Sequence, residues 1–169
     1  VGALPISKMR AAMEAHRYAE AKSIGAEIEE GLKERCMEKI NTMIKDLEEK
    51  IIAANDLGMI TTQFEERLKA VQEDEMPYNE KIDILEELSN GLEIAIDQYN
   101  AAVGEIDRCK DILTELITDG FFSREVESLL ENAENALNTG KYEEALEFAM
   151  RAVEEAEATP EKSARTIVE

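Results

Sequence analysis

The sequence predicts an all-α fold, an elongated arrangement of two in-line three-helix bundles that share long helices. Composition is the first reason, because only 3 prolines and 8 glycines punctuate 169 residues and strong helix formers dominate the rest. Second, apolar residues recur at alternating steps of three and four along two long stretches, which is the seam of packed long helices. Third, one short turn sequence occurs twice, 62 positions apart.

The first long stretch extends from Ser7 to Leu57 and predicts a helix that ends at Gly58. The second extends from Tyr78 to Ile117 and predicts a helix that ends at Gly120. Compact domains seldom hold helices this long, so we expect each to be shared between neighbouring bundles. An alternative for the second stretch is a break or kink at residues 89–91, because Asn-Gly is a strong helix breaker.

The repeated turn sequence predicts a corner between helices. Gly58 and Gly120 each follow a long helix, where a glycine adopts the left-handed conformation without a Cβ penalty. Two bulky apolar residues come next, and then Thr62 or Ser123, which we expect to cap the following helix. Thr62 has Glu65 at the capping-box position. The shorter helices are predicted over residues 62–74, 123–138 and 141–158.

These elements predict four segments. Sharing a long helix between successive bundles is similar to the way spectrin repeats join. The predicted segments are an N-terminal helix belonging to a missing upstream repeat (1–31), a first three-helix bundle (32–97), a second (98–158) and a polar tail (159–169).

The N-terminal helix carries a candidate interaction surface. Its apolar stripe has no segment of the chain left to cover it in the two-bundle arrangement, and an exposed isolated helix is marginal in water. We therefore expect the stripe to pair with a second copy of the chain, giving a homodimer, or with another subunit. The residues of this N-terminal surface are Ile6, Met9, Met13, Ile24 and Ile28.

The charge limits the partners. A formal net charge of −20 repels phosphate backbones and anionic lipid, so we expect no nucleic-acid or membrane partner and favour proteins with basic surfaces. No run reaches the length of a membrane span, and the first residues lack the regions of a signal peptide. Cys36 and Cys109 lie on apolar stripes and predict two buried thiols in a reducing, cytoplasmic setting, with a disulfide or redox role as the alternative.

Motifs for chemistry are not found in the sequence. His16 is the single histidine and predicts a surface or seam residue, because metal clusters and nucleophile–base pairs need more partners. The acidic run 73–75 lacks the alternating ligands and central glycine of a calcium loop, and no phosphate-binding glycine motif occurs. We therefore predict no catalytic residues, no metal and no cofactor, and a protein that is not an enzyme.

One segment resembles a known family. Gly140, Tyr142, Ala145, Ala149 and Ala152 have the spacing of the second helix of a tetratricopeptide repeat, with Leu130, Ala133 and Leu137 as packing positions of the preceding helix. The resemblance covers residues 126–153 and implies a closely packed TPR-like helical hairpin. No neighbouring 34-residue copy follows, since the internal period is 62–66. More broadly the chain resembles Glu-rich helical-repeat segments of archaeal proteins.

Three functions are compatible with this pattern. Periodicity is the strongest signal, and it favours a non-catalytic scaffold or spacer that mediates protein–protein interaction. The TPR-like resemblance implies an adaptor that binds basic peptides or proteins. A ligand-sensing or enzymatic helical bundle is the least favoured of the three.

Overall fold

The computed structural model describes residues 5–14 and 17–168, and side chains within these ranges except at residues 12 and 164–168. The described residues form six α-helices and no β-strand, which confirms the all-α prediction. Short and long helices alternate along the chain. The elements are α1 (Ile6–Glu14), α2 (Tyr18–Asp56), α3 (Thr62–Glu73), α4 (Tyr78–Thr118), α5 (Arg124–Asn138) and α6 (Tyr142–Val168).

Both predicted corner glycines are in the left-handed region, with φ of +92° at Gly58 and +86° at Gly120. The Gly58 N–H donates to the Asn55 carbonyl at 2.9 Å and the next N–H, of Met59, reaches the Ala54 carbonyl at 3.1 Å. This paired set of bonds is a Schellman ending, which satisfies the last carbonyls of the helix. The corner prediction is therefore confirmed in its backbone geometry.

The helix caps after the two corners differ. Ser123 caps α5 as predicted, because its hydroxyl accepts a hydrogen bond from the Val126 N–H at 3.3 Å. The prediction that Thr62 caps α3 is wrong by one position. The Thr61 carbonyl accepts from the Phe64 and Glu65 N–H groups, and the buried Thr61 hydroxyl donates to the Glu65 carboxylate at 2.6 Å.

The N-terminal part of the first long stretch is not one helix. Separate helices α1 and α2 replace the single helix predicted from Ser7 onwards. The Ala21 N–H bonds to the Arg17 carbonyl at 3.0 Å, so α2 takes its first turn from Arg17. A Cβ placed on Gly25 would lie 3.4 Å from Met9 Cε. In one straight helix, residues 16 positions apart are separated by about 24 Å along the axis, so they could not make this contact. Helix α1 therefore folds back onto α2.

Two described helices continue through a helix-breaking signal, and α4 thereby confirms the continuous helix predicted from Tyr78 to Ile117 over the alternative of a break. Helix α4 is continuous through residues 89–91, because Leu88 and Leu92 on either side are fully buried and hold the backbone in place. Helix α6 continues past Pro160 to Val168, so the predicted polar tail is helical. Pro160 has no backbone N–H and so removes one hydrogen-bond donor from the helix. Next to it, the Thr159 hydroxyl donates to the Glu155 carbonyl at 2.8 Å.

Each long helix begins with a tyrosine: Tyr18, Tyr78 and Tyr142 open α2, α4 and α6. Tyr18 lies inside the single helix predicted from Ser7 onwards, so its position at a helix start was not predicted. A pair of one short and one long helix thus occurs three times in the described chain.

The chain divides into two compact units. The first unit contains residues 1–49 and 67–88, and therefore α1, most of α2, the end of α3 and the start of α4. Ion pairs and hydrogen bonds link these segments at the surface, with Lys39 bound to Glu86 at 3.2 Å and Gln72 bound to Glu48 at 3.1 Å. Its buried apolar side chains are Ala21, Ile40, Leu47, Leu68, Val71, Leu85 and Leu88.

The second unit contains residues 50–66 and 89–169. Here α4 packs against the α5–α6 hairpin in layers that become wider from the Gly140 turn towards the Gly120 corner. The narrowest layer is Ala102, Ala136 and Ala145. The next is Ile106, Ala133 and Ala149, and the widest contains Cys109, Leu113, Leu116, Val126, Leu129, Ala152, Val153 and Ala156.

Candidate interaction surfaces

The corner between α2 and α3 lies against the turn that opens α6, and both belong to the second unit. Ile60 covers the turn glycine, because a Cβ on Gly140 would lie 3.5 Å from Ile60 Cβ. Gly140 has a φ of +77°, a conformation that L side chains rarely adopt. A larger residue at this turn would therefore have a strained backbone, with its Cβ in ordinary contact with Ile60. We name this contact, formed by residues 57–61 with residues 139–142 and Tyr99, the corner contact.

Two tyrosines complete the corner contact. The Tyr142 hydroxyl accepts the Ile60 N–H at 2.6 Å, and the Tyr99 hydroxyl donates to the Leu57 carbonyl at 2.7 Å. The two rings meet edge to face, with centroids 5.3 Å apart and an interplanar angle of 84°, an arrangement favoured between aromatic rings. Burial raises the pKa of the Tyr142 hydroxyl, against the smaller opposing effect of the Ile60 N–H. The neutral phenol is thus the form that holds the corner.

A second surface is a cleft of about 520 Å³ between α4 and α6. Arg108 pairs with Glu105 at 3.7 Å and with Glu157 at 2.5 Å across the two helices. Met150 contributes an apolar side chain that is 56% exposed. Four glutamates and two arginines line the cleft, so its net charge is negative; they are Glu105, Arg108, Glu147, Arg151, Glu154 and Glu157.

The predicted N-terminal surface is partly covered within the chain. Met9 lies against Gly25 and is half-buried, so the expectation that no segment covers this stripe is wrong at that point. Ile24 and Ile28 of α2 are also half-buried. Ile6 and Met13 remain 55% and 51% exposed on α1. Ile6 and Met13 are therefore the most exposed side chains of this surface.

The remaining predicted residues have separate environments. Cys109 is fully buried, as predicted, and burial raises the pKa of its thiol. Cys36 is half-exposed, so the burial predicted for it is not reached. His16 lies outside the described residues. Within residues 5–14 and 17–168, no group of three His, Cys, Asp or Glu side chains is placed to hold a metal ion, and no helix has the length and apolarity to cross a bilayer.

Comparison with known proteins adds no assignment. No protein-family model matches the chain, and no curated protein or solved structure is significantly similar to it.

Proposed function

We propose that the chain is a non-catalytic helical-repeat scaffold or spacer that mediates protein–protein interaction. The repeated corner is the observation that supports this proposal. The Gly120 N–H and Phe121 N–H bond to the Ile117 and Leu116 carbonyls at 3.1 and 2.8 Å, as their counterparts do at Gly58. Repeated units that each contact their neighbours are the building principle of extended scaffolds.

The spacer part of the proposal concerns the in-line, elongated arrangement of two bundles. Helices α2 and α4, with 39 and 41 residues, each contribute to both compact units. A helix of this size is about 60 Å long. Small-angle scattering tests the arrangement, because a compact globule of this chain length has a radius of gyration of about 15 Å. A value well above that supports the spacer, and a value near it contradicts the elongated arrangement.

The interaction part includes self-association through α1. Ile6 and Met13 are large apolar side chains that are exposed on the short helix α1 and could contact a second copy of the chain. We expect the intact chain to form a dimer in light scattering and Met13→Glu to reduce its mass towards the monomer. Met37→Glu is the matched control, since Met37 is 50% exposed on α2. A monomeric parent chain, or equal loss with both variants, contradicts dimerisation through α1.

An adaptor that binds basic peptides is the second candidate, and the α4–α6 cleft favours it. Its excess of glutamates and the exposed Met150 suit a ligand with both lysine and leucine side chains. We would titrate a fluorescein-labelled Lys/Leu amphipathic peptide and measure anisotropy. Glu147→Lys with Glu154→Lys should weaken binding several-fold. Two such changes outside the cleft, Glu127→Lys with Glu131→Lys on α5, are the matched control; equal weakening would mean that net charge alone attracts the peptide.

A further inference from the structure

The corner after α4 has the backbone geometry of the corner after α2, and the two differ in what covers them. Met59 and Phe121 follow the glycines and face inwards, 2% exposed and half-buried. The next residue faces outwards in both. Ile60 is 42% exposed even though it lies on the Gly140 turn, and Phe122 is 63% exposed.

The corner after α2 is covered by a turn, and the residues of that turn show which features a covering segment needs. The turn under Ile60 provides Gly140, whose φ of +77° suits a glycine and which lies against the Ile60 side chain. It also provides Tyr142, whose hydroxyl accepts the Ile60 N–H at 2.6 Å. That tyrosine is the first residue of a long helix, as Tyr18 and Tyr78 are in α2 and α4. In the sequence a glycine also stands four residues before each short helix, at Gly2, Gly58 and Gly120. The corner glycine and the opening tyrosine therefore recur with the repeat. The turn glycine does not, because Met76 and His16 stand two residues before Tyr78 and Tyr18.

We propose that the Gly120–Ser123 corner is a docking surface for the turn of a further helical hairpin of this same repeat. The partner is defined by a glycine at positive φ followed two residues later by a tyrosine that opens a helix. Phe122 would cover that glycine, and the Phe122 N–H would donate to that tyrosine, as Ile60 does with Gly140 and Tyr142. The surface continues an interface already formed within the chain, and the inference rests on the repeat architecture of the proposed scaffold.

The test extends the full chain in its own register by one hairpin. Residues 1–156 are followed by residues 93–169, which joins α6 to α4 at equivalent positions, since Ala156 and Leu92 both lie 14 residues after their opening tyrosines. The internal copy of Phe122 then faces an added Gly140–Tyr142 turn, whereas the terminal copy stays open. Phe122→Asp is introduced into either copy, and thermal unfolding is followed by circular dichroism.

The internal substitution should lower the thermal midpoint by several degrees, whereas the terminal one should change it as little as Phe122→Asp does in the parent chain. Equal shifts at the two copies overturn the proposal. If the extended chain fails to fold, the parent chain decides the question. There Ile60→Phe should keep the midpoint and Ile60→Asp should lower it, because a phenylalanine must fit over a glycine–tyrosine turn; equal losses overturn the proposal. A compact scattering radius alongside these results would contradict the spacer and leave the docking surface intact.

Discussion

Removing a single hydroxyl at Tyr142 should weaken the corner contact measurably. Tyr142 is 4% exposed, and its oxygen is the acceptor of the Ile60 N–H at 2.6 Å. Phenylalanine keeps the ring and its edge-to-face contact with Tyr99 while leaving the donor without its partner. An unsatisfied buried donor costs about 1–3 kcal/mol. Because Ile60 is 42% exposed, water replaces part of the bond, so we expect the lower half of that range.

The expected loss of about 1–2 kcal/mol corresponds to a fall of about 3–6 °C in the thermal midpoint for a chain of this size. Thermal unfolding followed by far-UV circular dichroism measures it, since the chain contains no tryptophan. Tyr99→Phe should cost less, about 0.5 kcal/mol, because the hydroxyl that donates to the Leu57 carbonyl is exposed and water can take its place.

The control is Tyr78→Phe, which makes the same change at the first residue of α4, where the side chain is 37% exposed. We expect no shift there. An unchanged midpoint for Tyr142→Phe, or a larger fall for Tyr99→Phe than for Tyr142→Phe, would refute the assignment of the Ile60–Tyr142 bond as the main polar link of the corner.

Four further outcomes are expected. Gly120→Ala should destabilise by about 1–2 kcal/mol because of its φ of +86°, whereas Gly104→Ala, inside α4 with open space around it, should stabilise by about 0.5–1 kcal/mol; chemical denaturation compares them, and equal signs would contradict the left-handed corner. Labelling with Ellman's reagent should modify half-exposed Cys36 quickly and buried Cys109 slowly, and two fast thiols would contradict that burial. The free energy of unfolding should fall as the pH rises past 9.0, the ordinary pKa of a cysteine thiol. Burial raises the pKa of Cys109, so above that pH the folded state binds more protons than the unfolded state. The variant Cys109→Ala should lose this part of the alkaline decline. With a net charge of −20, the thermal midpoint should rise between low salt and a few hundred millimolar NaCl, and a flat response would mean that local ion pairs offset the repulsion.

Local signals account for the features that the sequence predicted well. A glycine after a long apolar seam fixes a corner whatever the rest of the chain does, and Ser123 lies where a cap must lie. The Thr61 cap shows the limit of this reasoning, since two adjacent threonines offer the same chemistry. Burial of Thr61, which decides between them, depends on residues far away in the sequence.

Tertiary packing determined the features that the sequence did not reveal. Residues 15–17 contain no glycine or proline to announce the end of α1, and the Asn-Gly pair at 90–91 does not break α4 because its neighbours are buried. Gly91 lies beside Phe64, whose ring carbon is 3.8 Å from the position of a Cβ there, an ordinary contact distance. The Ile60–Tyr142 bond joins residues 82 positions apart, and no periodicity records such a contact. The one sequence feature that could have indicated this contact is the tyrosine at the start of each long helix.

The two proposed associations predict different assemblies. Pairing of α1 with a second α1 uses the same surface twice and closes at a dimer. The corner contact uses two different surfaces, a corner on one repeat and a turn on the next, so it does not close and each added repeat offers a new corner. Phe122, at the corner that no turn of the described chain covers, is 63% exposed, whereas Ile60, at the covered corner, is 42% exposed. This difference is expected if each corner docks the turn of the next repeat. A spacer built this way would grow in length without a change of interface, because each junction would use a turn glycine, an opening tyrosine and an outward apolar side chain, as Gly140, Tyr142 and Ile60 do.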